Sequence, residues 1–112
     1  MVDQATNPAS TDFAGGINRL YRRYFKSAAD VEEFIEAAEL ITERVSAVNM
    51  RYQLIQSLED PCLIFEIWTY PDEKTMRWVQ AAMEAASVIP RKFGPETEIW
   101  TSRVRLDMRL SD

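Results

Sequence analysis

Between Met50 and Tyr70 the chain reads MRYQLIQS, LEDP, CLIFEIWTY, and this stretch limits the possible folds more than any other. Two runs rich in β-branched and aromatic residues flank a four-residue turn that contains Pro61. So short a connection brings the second run back beside the first, which predicts an antiparallel hairpin. A segment of helical period lies on each side of it. Upstream, Val31, Phe34, Ile35, Ala38, Ile41, Val45 and Val48 recur at steps of three and four, with Glu32, Glu33, Glu36, Glu39 and Arg44 mostly elsewhere around the helix. Ser27 with Asp30 approximates a capping box at its start. Downstream, Pro71-Asp72-Glu73 opens a second helix whose apolar stripe is Met76, Val79, Ala82, Met83 and Ala86, and Pro90 ends it near Ile89.

One more strand stands outside each helix: INRLYRRYF from Ile17 to Phe25, and EIWTSRVRLDMRL from Glu98 to Leu110. The order is therefore β-α-β-β-α-β. It predicts an α+β, ferredoxin-like domain, a four-stranded antiparallel sheet with two helices on one face. Residues 1–15, rich in Ala, Thr, Ser and Asp, read as a flexible N-terminal tail, and residues 16–110 as a single domain.

Helices cover only one side of such a sheet, so the other must be polar or must meet something. In CLIFEIW, Leu63, Phe65 and Ile67 alternate with Cys62, Ile64, Glu66 and Trp68. The purely apolar set is expected under the helices, with Glu66 and Trp68 on the open face. In the last strand the matching open-face set is Trp100, Ser102, Val104 and Leu106. For Met50 to Ser57 either alternation fits. In the first strand both alternations are mixed. An open face with tryptophans and a carboxylate is too apolar for bulk water. Two copies paired about a two-fold axis would cover it and enclose a polar-lined cavity.

Composition excludes several kinds of chemistry. Thirteen basic residues against 18 acidic ones give a net charge of −5, which disfavours general nucleic-acid binding. The chain has no histidine, so it supplies no Ser-His-Asp triad, no histidine-ligated zinc and no histidine-ligated haem. Cys62 is its one cysteine; it reads as a small buried hydrophobe, and the usage fits a reducing, cytoplasmic setting. The N-terminus lacks a secretory pattern, and no apolar run approaches the ~20 residues of a membrane helix.

The stretches RYQLIQSLEDP (Arg51 to Pro61) and FEIW (Phe65 to Trp68), followed by an acidic helix start, resemble the antibiotic biosynthesis monooxygenase (ABM) family of dimeric α/β barrels. The resemblance runs through about 80 residues. It implies a homodimer formed through the sheet face and a pocket for a small hydrophobic, aromatic or polyketide-like molecule. The haem-degrading branch of that family is similar in the first strand, where INRL places Asn18 at an oxygen-assisting position, and Trp78 lies near a haem-ruffling tryptophan. Val88 stands near the iron-ligating histidine, which disfavours haem degradation.

The activity that the resemblance implies is a cofactor-independent monooxygenase that needs no metal. Such an enzyme deprotonates a phenol or enol, and the electron-rich anion reduces dioxygen. Glu66 is the candidate base, with Asn18 and Arg22 as further catalytic groups. Arg22 or Arg19 would hold a phenolate. Tyr52, Trp68, Trp78 and Trp100 would line the substrate site. Each residue also has a plainer reading. Glu66 would pair with an arginine. Trp68 and Trp100 would pack an interface, Trp78 would be core or pocket rim, and Asn18 would satisfy backbone groups. Arg19, Arg22 and Arg23 would form a solvated edge. On those readings the chain is a non-catalytic dimeric binding or structural module.

Overall fold

Serine and aspartate side chains set the ends of the elements. A computed structural model describes residues 16–43, 45, 49–86 and 94–111. The expected tail at 1–15, the end of the first helix at Val48 and the Ile89-Pro90 stop lie outside the described residues. In the hairpin turn, Ser57 Oγ accepts from the Glu59 and Asp60 N–H groups at 3.1 Å, and Asp60 Oδ1 accepts from Cys62 N–H at 3.0 Å. These bonds satisfy turn backbone that would otherwise need water. They join β2 (Arg51–Gln56) to β3 (Leu63–Tyr70).

Helix α1 (Ala28–Glu43) is capped by Ser27, whose Oγ accepts from Asp30 N–H at 3.1 Å. Helix α2 (Glu73–Ala86) is capped by Asp72, whose Oδ1 accepts from Thr75 N–H at 2.7 Å. Bonds from Thr75, through its backbone N–H first and its side chain second, hold the Asp72 carboxyl below its ordinary pKa. With β1 (Ile17–Tyr24) and β4 (Glu96–Arg103) the elements follow the order β-α-β-β-α-β. All pairings are antiparallel and the sheet order is β2-β3-β1-β4, which is the ferredoxin-like fold.

The last strand starts and ends earlier than the sequence predicts. Arg103 pairs with Ile17, where β1 begins, and a final bond of 2.8 Å runs from Val104 N–H to Gly16 O. That bond is the last between the two strands among the described residues. Leu106, Met108 and Leu110 follow, 76%, 62% and 81% exposed, so nothing in the described chain covers them.

The faces of β3 are the reverse of the expectation. Ile64, Glu66, Trp68 and Tyr70 point to the helices and are buried, while Leu63, Phe65 and Ile67 point to the open side. Residues opposite one another across a ladder share a face, so the register carries this to the other strands. Arg19, Tyr21 and Arg23 join the helix side, and Leu20, Ile55 and Trp100 the open side. Two apolar clusters explain the choice. Ile17, Trp68 and Tyr70 pack with Val45, Met76 and Val79, and Ile64 packs with Phe25, Val31 and Phe34. The bulkier set fills the space under the helices, and Glu66 joins it because Arg23 and Tyr52 are there to receive it.

Candidate functional site: a cavity between the sheet and α2

Burial of Glu66 organises the site. Only 2% of it is exposed, so an unpaired charge there would be prohibitive. Its Oε1 accepts from Arg23 Nε in a short contact, and its Oε2 accepts from Tyr52 Oη at 2.5 Å. β-strand alternation brings these three together. Tyr21 lies opposite Glu66 in one ladder and Leu54 in the other, so Arg23 and Tyr52 are its diagonal neighbours on the same face. Burial and the adjacent carboxylate push the Tyr52 hydroxyl well above the ordinary phenol pKa, so it stays a donor.

Aromatic rings continue from this group. Tyr52 tilts against Trp68 with centroids 4.4 Å apart, and Trp68 stacks on Tyr70 at 6.4 Å and 9°. Burial, more than the neighbouring Tyr21, also raises the Tyr70 hydroxyl above the usual phenol range. Two guanidinium groups flank the Tyr21 ring, Arg23 at 4.8 Å and Arg19 at 5.7 Å.

Between this wall and α2 lies a cavity of about 380 Å³. Arg19, Tyr21, Arg23, Glu66, Trp68 and Tyr70 form its sheet side, and Val79, Gln80 and Met83 its helix side. Its size is that of a small-molecule site. Cationic groups and aromatic faces dominate it, a combination suited to planar, electron-rich molecules. Among the described residues no three acidic, cysteine or histidine side chains gather to hold a metal.

The expected site residues fall into three places. Glu66 and Trp68 line the cavity, and Tyr52 stands behind Trp68, fixed by Glu66. Asn18, Arg22 and Trp100 belong to the open face. There Asn18 Nδ2 donates to Thr69 Oγ1 at 2.8 Å, and Arg22 pairs with Glu98 at 3.3 Å. Trp78, on α2, is 55% exposed and belongs to neither. Sequence reasoning passed over Tyr21, Tyr70 and Arg23 as cavity groups. A usable signal existed: Arg19, Tyr21 and Arg23 share their alternation with Ile17, which the core claims.

The open face has a hollow of its own. About 400 Å³ in volume, it is bordered by Leu20, Ile55, Phe65, Ile67 and Trp100. Ile55 and Trp100 remain 48% and 47% exposed, which marks an apolar surface without a cover among the described residues.

No protein-family model matches the chain, and no curated protein matches it in sequence. Solved structures do match in shape. A conserved protein from Methanosarcina mazei Go1 superposes with a TM-score of 0.68 at 18% identity, over 82% of this chain and 95% of that one. A dimeric ferredoxin-like protein from an uncultured marine organism gives 0.65 at 15% identity, over 85% and 99%. A mutant form of SnoaB from Streptomyces nogalater, a cofactor-independent oxygenase, gives 0.64 at 15% identity, over 83% and 96%. At these identities the similarity establishes the ferredoxin-like fold that this chain shares with all three.

Proposed function

We propose that the chain is a cofactor-independent monooxygenase of the ABM type, acting on a planar aromatic or polyketide-like molecule in the cavity between the sheet and α2. The composition of the cavity wall carries this reading: Trp68, Tyr70 and Tyr21 line it with aromatic rings, and Arg19 and Arg23 supply positive charge beside them. The shared fold of SnoaB, a cofactor-independent oxygenase, supports it. So does the resemblance of Arg51 to Trp68 to the ABM family.

The chemistry needs little from the protein beyond its charge and walls. A hydroxylated anthrone loses a proton to give a delocalised anion, which positive charge at Arg19 and Arg23 favours. The anion gives one electron to dioxygen, and the resulting radical pair combines into a carbon-bound peroxide anion, which takes up a proton in place of the one the anthrone released. Loss of water then leaves a quinone, so one dioxygen becomes one carbonyl oxygen and one water. Glu66, engaged by two donors, is assigned to positioning Arg23 and Tyr52 rather than to proton removal. Trp68 and Met83 exclude water from the anion.

We also propose that two copies pair through the open face, over Leu20, Phe65, Ile67 and Trp100. The apolar hollow there and the fold neighbour described as dimeric support this assembly.

Oxygen consumption with hydroxylated anthrones tests the activity. The expected result is one dioxygen per anthrone at a rate well above that in buffer, reduced at least ten-fold in Trp68→Ala. Anthrone oxidation no faster than in buffer would set the reading aside for this substrate class.

A further inference from the structure

We propose that Arg19 anchors the carboxylate of a planar aromatic acid in the cavity between the sheet and α2. The inference takes its ligand site from the oxygenase reading and adds the charge and the acid group that the ligand must carry.

Arg19 and Arg23 share one face of β1, yet their donors are used differently. Arg23 is matched by the Glu66 carboxylate. Arg19 forms no ion pair among the described residues. Its Nη1 donates to Thr101 Oγ1 at 2.6 Å, and its buried Nε has no acceptor among the described residues. Buried polar groups in folded proteins nearly always find a partner, so an orphaned guanidinium N–H beside a cavity calls for an acceptor that enters from outside. With two guanidinium groups and one carboxylate on its wall, the cavity carries surplus positive charge, and that surplus belongs to Arg19.

Geometry narrows the acceptor. With Nη1 committed to Thr101, the edge formed by Nε and Nη2 remains. That edge presents two nearly parallel N–H groups, which match the two oxygens of one carboxylate. A phenolate offers a single oxygen, and a primary amide sets its own donors against those of the arginine. The contact with the Tyr21 ring at 5.7 Å limits how far the guanidinium can turn. Trp68, Tyr70 and Tyr21 line the same cavity with aromatic rings, beside which the ring system would lie. Binding requires the Arg19 side chain to turn its free edge toward the acid, with the Nη1 bond to Thr101, directly opposite on β4, as the pivot.

Calorimetric titration with 2-naphthoate and 2-naphthamide at neutral pH tests this without turnover. The acid is expected to bind at least ten-fold more tightly than the amide. Arg19→Gln should bring the two within about two-fold, while Arg77→Gln, which removes a surface charge on α2, should leave the preference intact. Arg19→Lys, which keeps the charge and loses the two-pronged edge, should fall between. Should Arg19→Gln not fold, the wild-type ratio and Arg19→Lys decide. Equal affinity for acid and amide overturns the proposal, as does a preference that survives Arg19→Gln, or no measurable binding of the acid at millimolar concentration. An acid preference without anthrone oxidation removes the oxygenase reading and keeps the anchor. Oxidation of anthrones with no acid preference does the reverse.

Discussion

Tyr52 Oη donates to Glu66 Oε2 across 2.5 Å while Arg23 Nε donates to the other oxygen, so one buried carboxylate ties β2 and β1 to β3. The arrangement tolerates loss of the whole pair better than loss of one member. Glu66→Gln leaves the Arg23 charge, 15% exposed, without its counterion and should cost about 3 kcal/mol, the low end for a broken buried pair. In a Tyr52→Phe background, which leaves no hydroxyl without its acceptor, replacing both, Arg23→Met with Glu66→Leu, should return stability to within about 1 kcal/mol of that background. Urea unfolding of Glu66→Gln, and of Arg23→Met, Glu66→Leu and their double in the Tyr52→Phe background, measures this. A double variant as unstable as the sum of the singles would contradict the account of the pair.

The same tyrosine predicts how stability responds to alkali. Burial and Glu66 raise the Tyr52 hydroxyl above its unfolded value, and burial with Tyr21 does so for Tyr70. A raised folded pKa means that the native state holds its proton where the unfolded chain has lost it. The stabilisation is complete below the unfolded phenol pKa of about 10 and is lost as pH rises beyond it, at about 1.4 kcal/mol per pH unit for each tyrosine. Tyr52→Phe should lower stability at neutral pH by about 1 kcal/mol through the lost bond to Glu66, and should flatten the fall above pH 10. Urea midpoints at neutral pH and in steps above pH 10 read both effects. An unchanged alkaline slope in the variant would count against a protonated, buried Tyr52.

The local features were legible in the sequence, and the sidedness of the sheet was not. Ser27, Ser57, Asp60 and Asp72 act within three residues of themselves, so turn and caps can be read from short windows. The face of β3 depends instead on Arg23, 43 positions from Glu66, and on Tyr52, 14 positions away. Without those partners an apolar triplet such as Leu63, Phe65 and Ile67 looks like the natural core set. Their presence turns Glu66 from a burial penalty into a satisfied group. The candidate site divided for the same reason: Asn18 and Arg22 alternate with Arg19 and Arg23, so fixing one alternation on the helix side sends the other to the open face.

Two tryptophans should behave differently on truncation. Trp68 is 7% exposed and packs between Tyr52 and Tyr70, whereas Trp78 is 55% exposed. Trp68→Ala should cost about 3–5 kcal/mol, because its cavity cannot collapse against a rigid sheet. Trp78→Ala should stay within about 0.5 kcal/mol and leave anthrone oxidation unchanged. Thermal or urea unfolding of both variants, with oxygen uptake measured on whichever stays folded, separates a wall of the cavity from a surface residue. A loss of uptake in Trp78→Ala would return that residue to the site.

On the proposed pairing of two copies, open-face substitutions should act on assembly before they act on folding. Phe65 borders the hollow, opposite Arg22 on one side and Ile55 on the other. On the proposed pairing, a charge placed on that apolar surface would have to give up its water when two copies come together. Phe65→Glu should therefore raise the dimer dissociation constant at least a hundred-fold while the secondary structure of each chain is retained. Leu106→Asp should raise it less, about ten-fold, because that residue lies past the end of β4 and 76% of it is exposed within one chain. Sedimentation equilibrium over micromolar concentrations gives both constants, and circular dichroism checks the folded state. Wild-type protein that sediments as a monomer throughout that range would remove the paired open face. The Arg19 cavity, which lies on the opposite side of the sheet, would be unaffected.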